Sequence, residues 1–164
     1  MPLKSTVERA RRDKRQGKSA STQAGEFIRE QMEKIRRGEH GARSPRQAIA
    51  IGLSEARRAG VALKPPKKGR AKKSTRRSAE YAYEVGQGRR HPQRRPRVSR
   101  AVANVLKDEP RSSASPRALS AQSRRSAASR SAAAQKAVRT KGAADRSAAA
   151  RKAARTRARH RRAG

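Results

Sequence analysis

The 164-residue chain has no cysteine and no tryptophan, one phenylalanine and two tyrosines. Without cysteine there is no disulfide framework, no thiolate nucleophile and no thiolate metal site. So few large apolar side chains leave too little surface to bury to offset the entropy of ordering every residue. The sequence therefore predicts one small folded region and long segments that order only conditionally. Acidic residues are scarce too: 12 Asp plus Glu stand against 46 Lys plus Arg, a net charge of +34. The longest apolar run, Ala48 to Leu53, is far short of the ~20 residues that span a bilayer. The basic stretches also lack the Trp, Phe or Leu face of an interfacial helix, so no membrane partner is expected. The Met-Pro-Leu-Lys start carries no apolar core of a signal peptide. The cytoplasm, and the nucleoid in particular, is the expected location.

Catalytic constellations are missing as well. His40, His91 and His160 are far apart in sequence, lie in basic or Gly/Pro settings, and read as solvated loop histidines. The carboxylates have no His or Cys partner at metal-ligand spacing. Gly86-Gln87-Gly88 precedes no helix that fits a dinucleotide turn. Neither enzyme activity nor a metal or cofactor is expected.

What is present is helical patterning in the first third. Ser5-Thr6-Val7-Glu8 has the Ser-x-x-Glu spacing of a capping box, and Gly17 is a stop signal. Leu3, Val7 and Ala10 form a thin apolar stripe. A second helix is expected after Ser21-Thr22, with Phe27, Ile28, Met32 and Ile35 on one face. Glu26, Glu30 and Glu33 fill its remainder near the start, where the helix dipole favours them. A third helix opens at Ser44-Pro45-Arg46-Gln47, with Ser44 as cap and Pro45 at the first helical position. Ala48, Ile49, Leu53, Ala56 and Ala59 make its apolar face, and Gly60-Val61 is placed to close a Schellman motif. Gly52 in its middle costs about 1 kcal/mol relative to Ala, which signals either a close helix–helix approach or drift at a half-exposed position.

These elements predict a mostly α fold: a small three-helix or helical-hairpin module over residues 1–63, followed by largely disordered, conditionally helical basic arms. The expected core is Phe27, Ile28, Met32, Ile35, Ile49, Ile51, Leu53, Val61 and Leu63, marginal for about 60 residues. Self-association or a protein partner through residues 22–61 would supplement it. Residues 64–110 read as a basic, Pro-containing linker with short helices at Ser78 to Val85 and Ser99 to Lys107. Residues 111–164 read as an Ala/Arg/Ser-rich low-complexity tail with 16 basic residues and one acidic one. In it "RSAAAQKAVRT" at 130–140 recurs as "RSAAARKAART" at 146–156. Two copies are too few for a solenoid. With basic residues all round the wheel, such a helix gains nothing from packing and is expected to form when phosphates neutralise its repulsion.

The block "QAIAIGLSEARRAG" at 47–60, within residues 25–61, resembles a family of small bacterial basic proteins classed as a domain of unknown function. The resemblance implies a bacterial source and no particular activity. The tail is compositionally similar to bacterial histone H1-like proteins, though those tails are usually Lys- and Pro-rich and this one is Arg- and Ser-rich.

Duplex nucleic acid attracts Lys and Arg by releasing condensed counterions, which needs charge density and no fixed order. The expected nucleic-acid-binding residues in the middle arm are Lys67, Lys68, Arg70, Lys72, Lys73, Arg76, Arg77, Arg89, Arg90, Arg94, Arg95 and Arg97. In the tail they are Arg124, Arg125, Arg130, Lys136, Arg139, Lys141, Arg146, Arg151, Lys152, Arg155, Arg157, Arg159, Arg161 and Arg162. Base-specific reading needs a fixed recognition element, which these arms do not offer. Stacking on single strands needs exposed rings, and only Tyr81 and Tyr83 could supply them. The expectation is nonspecific double-stranded DNA binding by a nucleoid-associated, histone-like protein. The alternatives are an RNA- or ribosome-associated basic protein, and a protein-interaction module with a localising polycationic tail.

Overall fold

The computed structural model describes residues 2–92, 96–140 and 143–162, and these contain α-helices and no strand. In order they are α1 (Lys4–Arg15), α2 (Ala20–Arg37), α3 (Pro45–Arg58), α4 (Lys73–Gly86), α5 (Pro96–Asp108), a 3₁₀ turn (Arg111–Ala114), α6 (Pro116–Thr140) and α7 (Ala143–Arg162). The chain forms two compact units, residues 1–120 and 121–164.

In the first unit α2 is the central helix. Toward its start, Ala24 and Phe27 meet Ala10 of α1 and Ala56 of α3, and Val61 closes this cluster. Toward its end, Met32 and Ile35 pack with Ala42, Ala48 and Ala114. Most of the expected core lies in or against these clusters. Ile51 is the exception: it is half-buried and joins neither cluster. On the helical wheel it lies about 100° from Gly52 on the side opposite Ile49 and Leu53, and so falls off the packed face.

Gly52 is where α3 meets α2. A Cβ placed there would come within 2.8 Å of the Ile28 Cα, so the glycine serves close approach and the drift reading falls. Gly25, in α2, has open space around its Cβ position. Replacing it with alanine should stabilise the protein by about 0.5–1 kcal/mol. Gly52→Ala should instead destabilise it by roughly 1–3 kcal/mol, because overpacking outweighs the gain in helix propensity. Thermal denaturation of the two variants checks the opposite signs.

Caps divide into those where the sequence signal holds and those where it does not. The Ser44 side chain accepts from the Gln47 N–H, with Pro45 in the first turn. Ser115 does the same for Ala118 at the start of α6. After α3, Val61 N–H donates to the Ala56 carbonyl and Gly60 N–H to that of Arg57, the two bonds of a Schellman motif. The expected capping box at Ser5 does not form: α1 begins at Lys4 after Leu3, with no side-chain cap. The cause is tertiary, since the Leu3 N–H donates to the Glu30 carboxylate at 3.0 Å, which fixes the entry of the chain before Ser5. The second helix likewise starts earlier than expected, at Ala20, with Ser19 accepting from the Thr22 N–H.

Glu26 and Glu30 are buried and do not lie on a solvated face. α1 covers them: Arg9 reaches Glu26 at 2.7 Å, and Glu30 is held by Lys34 of its own helix. Burial alone would raise the Glu30 pKa. The hydrogen bonds from Lys34, Thr6 and the Leu3 N–H, together with the charge of Lys34, outweigh this and hold it below its ordinary value.

Residues beyond position 63 also enter this unit. α4 lays Ala79 and Ala82, both buried, toward α3, and Gln87 donates to the Gly60 carbonyl. Both middle helices are longer than the expected Ser78 to Val85 and Ser99 to Lys107. Residues 106–119 return to the α2–α3 loop: Gly41 N–H donates to the Leu106 carbonyl at 2.6 Å and Ala42 N–H to that of Pro110 at 3.1 Å. Arg36 donates to the Ala114 carbonyl, and Leu119 packs on the second cluster. Gly41 is needed here, because a Cβ would run into the Glu109 carbonyl.

In the second unit the structure has helix where the sequence expects conditional helix. Ala, Arg, Lys and Gln are strong helix formers, and every described residue of 127–139 is exposed, so this helix rests on local preference and not on packing.

Candidate nucleic-acid interface

The fold sorts the cations by what holds them. In the first unit many are committed internally. Arg57 is buried and donates to the Leu63 and Leu53 carbonyls; burial lowers its pKa. Lys18 pairs with Asp13, Arg29 with Glu26, Arg37 with Glu39 and Arg43 with Glu109. Several of the acidic residues concentrated in the first unit, Asp13, Glu26, Glu30 and Glu109 among them, thus serve the fold.

Of the middle-arm candidates, Lys67, Lys68, Arg70 and Lys72 are exposed on the segment leading into α4. Lys73, Arg76 and Arg77 lie in its first two turns, with Lys73 and Arg77 exposed and Arg76 half-buried. α4 has no side-chain cap and no acidic residue in its first turn. Cations therefore gather where the helix dipole favours anions, an arrangement that a bound phosphate relieves. Arg89 and Arg97 are exposed. Arg90 has an internal role as well: it pairs with Glu84 and its guanidinium lies 4.9 Å from the centre of the Tyr81 ring. Arg94 and Arg95 lie outside the described residues.

In the second unit Arg124, Arg125, Arg130, Lys136 and Arg139 are exposed on α6. The sequence reading has basic residues all round the wheel, but α6 is one-sided. At 100° per residue, Arg124, Arg125, Lys136 and Arg139 fall within an arc of about 120°, with Arg130 opposite. They span about 22 Å along the axis, and α6 contains no acidic residue. On α7, Arg151, Lys152 and Arg155 are exposed. The backbone of Arg146, Arg157, Arg159, Arg161 and Arg162 also belongs to α7. Lys141 lies outside the described residues.

His40 differs from the loop histidine expected. Its Nε2 lies 3.1 Å from Gln31 Oε1, and Gln31 in turn donates to Glu55 at 2.7 Å, so it ties the α2–α3 loop to both helices. His91 is exposed. Among the described residues no group of three His, Cys, Asp or Glu comes together to hold a metal ion, and no helix is long and apolar enough to cross a membrane. Tyr81 and Tyr83 are both half-buried, which limits base stacking.

Residues 4–69 match the model of a family of unknown function (DUF6496). The match takes in α1, α2 and α3 and extends well beyond the block at 25–61. No curated protein and no solved structure matches the chain.

Proposed function

We propose that the protein binds double-stranded DNA nonspecifically, as a nucleoid-associated protein of the bacterial cytoplasm, and that it has no enzymatic role. The observation that carries this reading is the exposed, acid-free cationic face of α6. The middle arm adds to it through Lys67, Lys68, Arg70, Lys72 and the uncapped start of α4. Nothing in these elements is fixed for reading base edges, and charge neutralisation requires only density. The unpacked helices of residues 121–164 are marginal in free solution and gain helix when phosphates cancel the repulsion among their cations.

Competition between duplex DNA of varied sequence and structured RNA tests the reading, with circular dichroism followed through the titration. Duplexes of all sequences should bind alike, ahead of RNA, with a rise in helical signal at saturation. A preference of about 10³ or more for one duplex would mean base recognition. Tighter binding to RNA would make the protein an RNA-associated one. No gain in helix would leave residues 121–164 acting as a flexible polycation.

A further inference from the structure

α5 buries none of its residues. Val98, Val102 and Val105 are 55, 52 and 56 % exposed, and among the described residues nothing covers them. Their spacing, i, i+4, i+7, is the d-a-d pattern of a helix–helix seam, and they fall within an arc of about 60°. The cations of α5 sit elsewhere on the heptad, Arg97 at c and Arg100 and Lys107 at f, turned away from the seam. The flanking e and g positions hold Ser99, Ala101, Leu106 and Asp108, with no cation among them.

This distribution of charge selects the occupant. An acidic partner helix is recognised by cations at e and g. An anionic membrane needs, opposite the cations, a broader face of larger apolar groups. α5 has neither the e and g cations nor that broad face, whereas a second copy of α5 meets a seam with no cation on it. We propose that two copies of the chain pair through the α5 valines. Three valines a copy bury far less than the roughly 800 Å² per partner of a stable interface, and each copy brings a charge of +34. Pairing therefore belongs to copies already adjacent on a polyanion, whose phosphates remove the repulsion. In this the inference rests on the nucleic-acid reading, and it makes binding to long duplexes cooperative.

The absence of cysteine allows a direct test with single-cysteine variants of the full chain. Val102 is the middle of the stripe: it faces its counterpart in parallel pairing, and in antiparallel pairing it packs against Val98 or Val105 of the second copy, one layer from its counterpart. Val102→Cys is compared with Arg100→Cys, on the opposite side. Both positions are exposed, so neither change touches the core. On a long duplex under mild oxidation, Val102→Cys should form disulfide-linked dimers about tenfold faster or more than Arg100→Cys, because adjacency raises effective concentration. The combined change Val98→Ser, Val102→Ser, Val105→Ser should lower the Hill slope on the long duplex to about one, while affinity for a duplex holding a single copy stays unchanged.

Equal cross-linking at the two positions, or an unchanged Hill slope, would overturn the proposal. So would protection of Val102→Cys by anionic vesicles or by an acidic helical peptide, which would assign the stripe to that partner. A chain that binds no duplex at all would overturn the nucleic-acid reading instead, and the same cross-linking contrast on heparin then decides the seam by itself.

Discussion

Removing residues 121–164 should flatten the salt dependence of duplex binding. The full chain is expected to neutralise on the order of 6–10 phosphates, so its affinity should fall by about 10³–10⁵ between 50 and 200 mM salt. The second unit holds 14 of the chain's 46 basic residues and one of its 12 acidic ones, and α6 carries its described cations on exposed positions. Residues 1–120 alone should bind all duplexes more weakly and lose less than about 10² over the same salt range. The cut belongs at 121, because a cut at 111 would strip Ala114 and Leu119 from the second cluster and confound binding with folding. Changing Arg124, Arg125, Lys136 and Arg139 together to Gln should produce part of the effect. The salt slope of binding, measured by fluorescence anisotropy, is the check. A steep slope that survives in residues 1–120 would move the main interface to the middle arm and the start of α4.

Losing the Glu30 carboxylate should unfold much of the first unit. Glu30 is 1 % exposed, and it holds Lys34 and the Leu3 N–H at once. Replacing it with alanine leaves a largely buried ammonium and a backbone donor without their acceptor, at about 3–5 kcal/mol, a large fraction of the stability of a small domain. Glu30→Gln keeps shape and some hydrogen bonding and should cost less, roughly 1.5–3 kcal/mol. Glu33→Ala, at an exposed position on the same helix, should stay within about 0.5 kcal/mol of the wild type. The pH dependence has a definite sign. The Glu30 pKa is lower in the folded protein than its ordinary value of 4.5, so its contribution is fully present above that value and is lost as pH falls through the lower, folded one. Urea denaturation at neutral pH and in acid should show the wild type losing part of its margin over Glu30→Gln in acid. An unchanged margin would mean that the carboxylate does not hold the first unit together.

The features legible in sequence are local ones. The Ser44 cap, the Gly60-Val61 closure, the apolar face of α2 and the helical character of the chain each depend on residues within a few positions of one another, where propensity and periodicity act. The charge bias is likewise composition alone, and it is what points to a polyanion. The remaining features depend on residues far apart in sequence. Ser5 cannot be rejected as a cap until Glu30 is seen to hold Leu3. Glu26 and Glu30 look like solvated carboxylates until α1 covers them. Gly52 has two readings until Ile28 lies against it. Ala114 and Leu119 read as tail until residues 106–110 bond to Gly41 and Ala42, because contacts across some 70 residues leave no periodic trace in the chain. The bare valine stripe of α5 has the same origin: periodicity shows that a helix has an apolar side, but whether another element covers that side is settled only when the whole chain has packed.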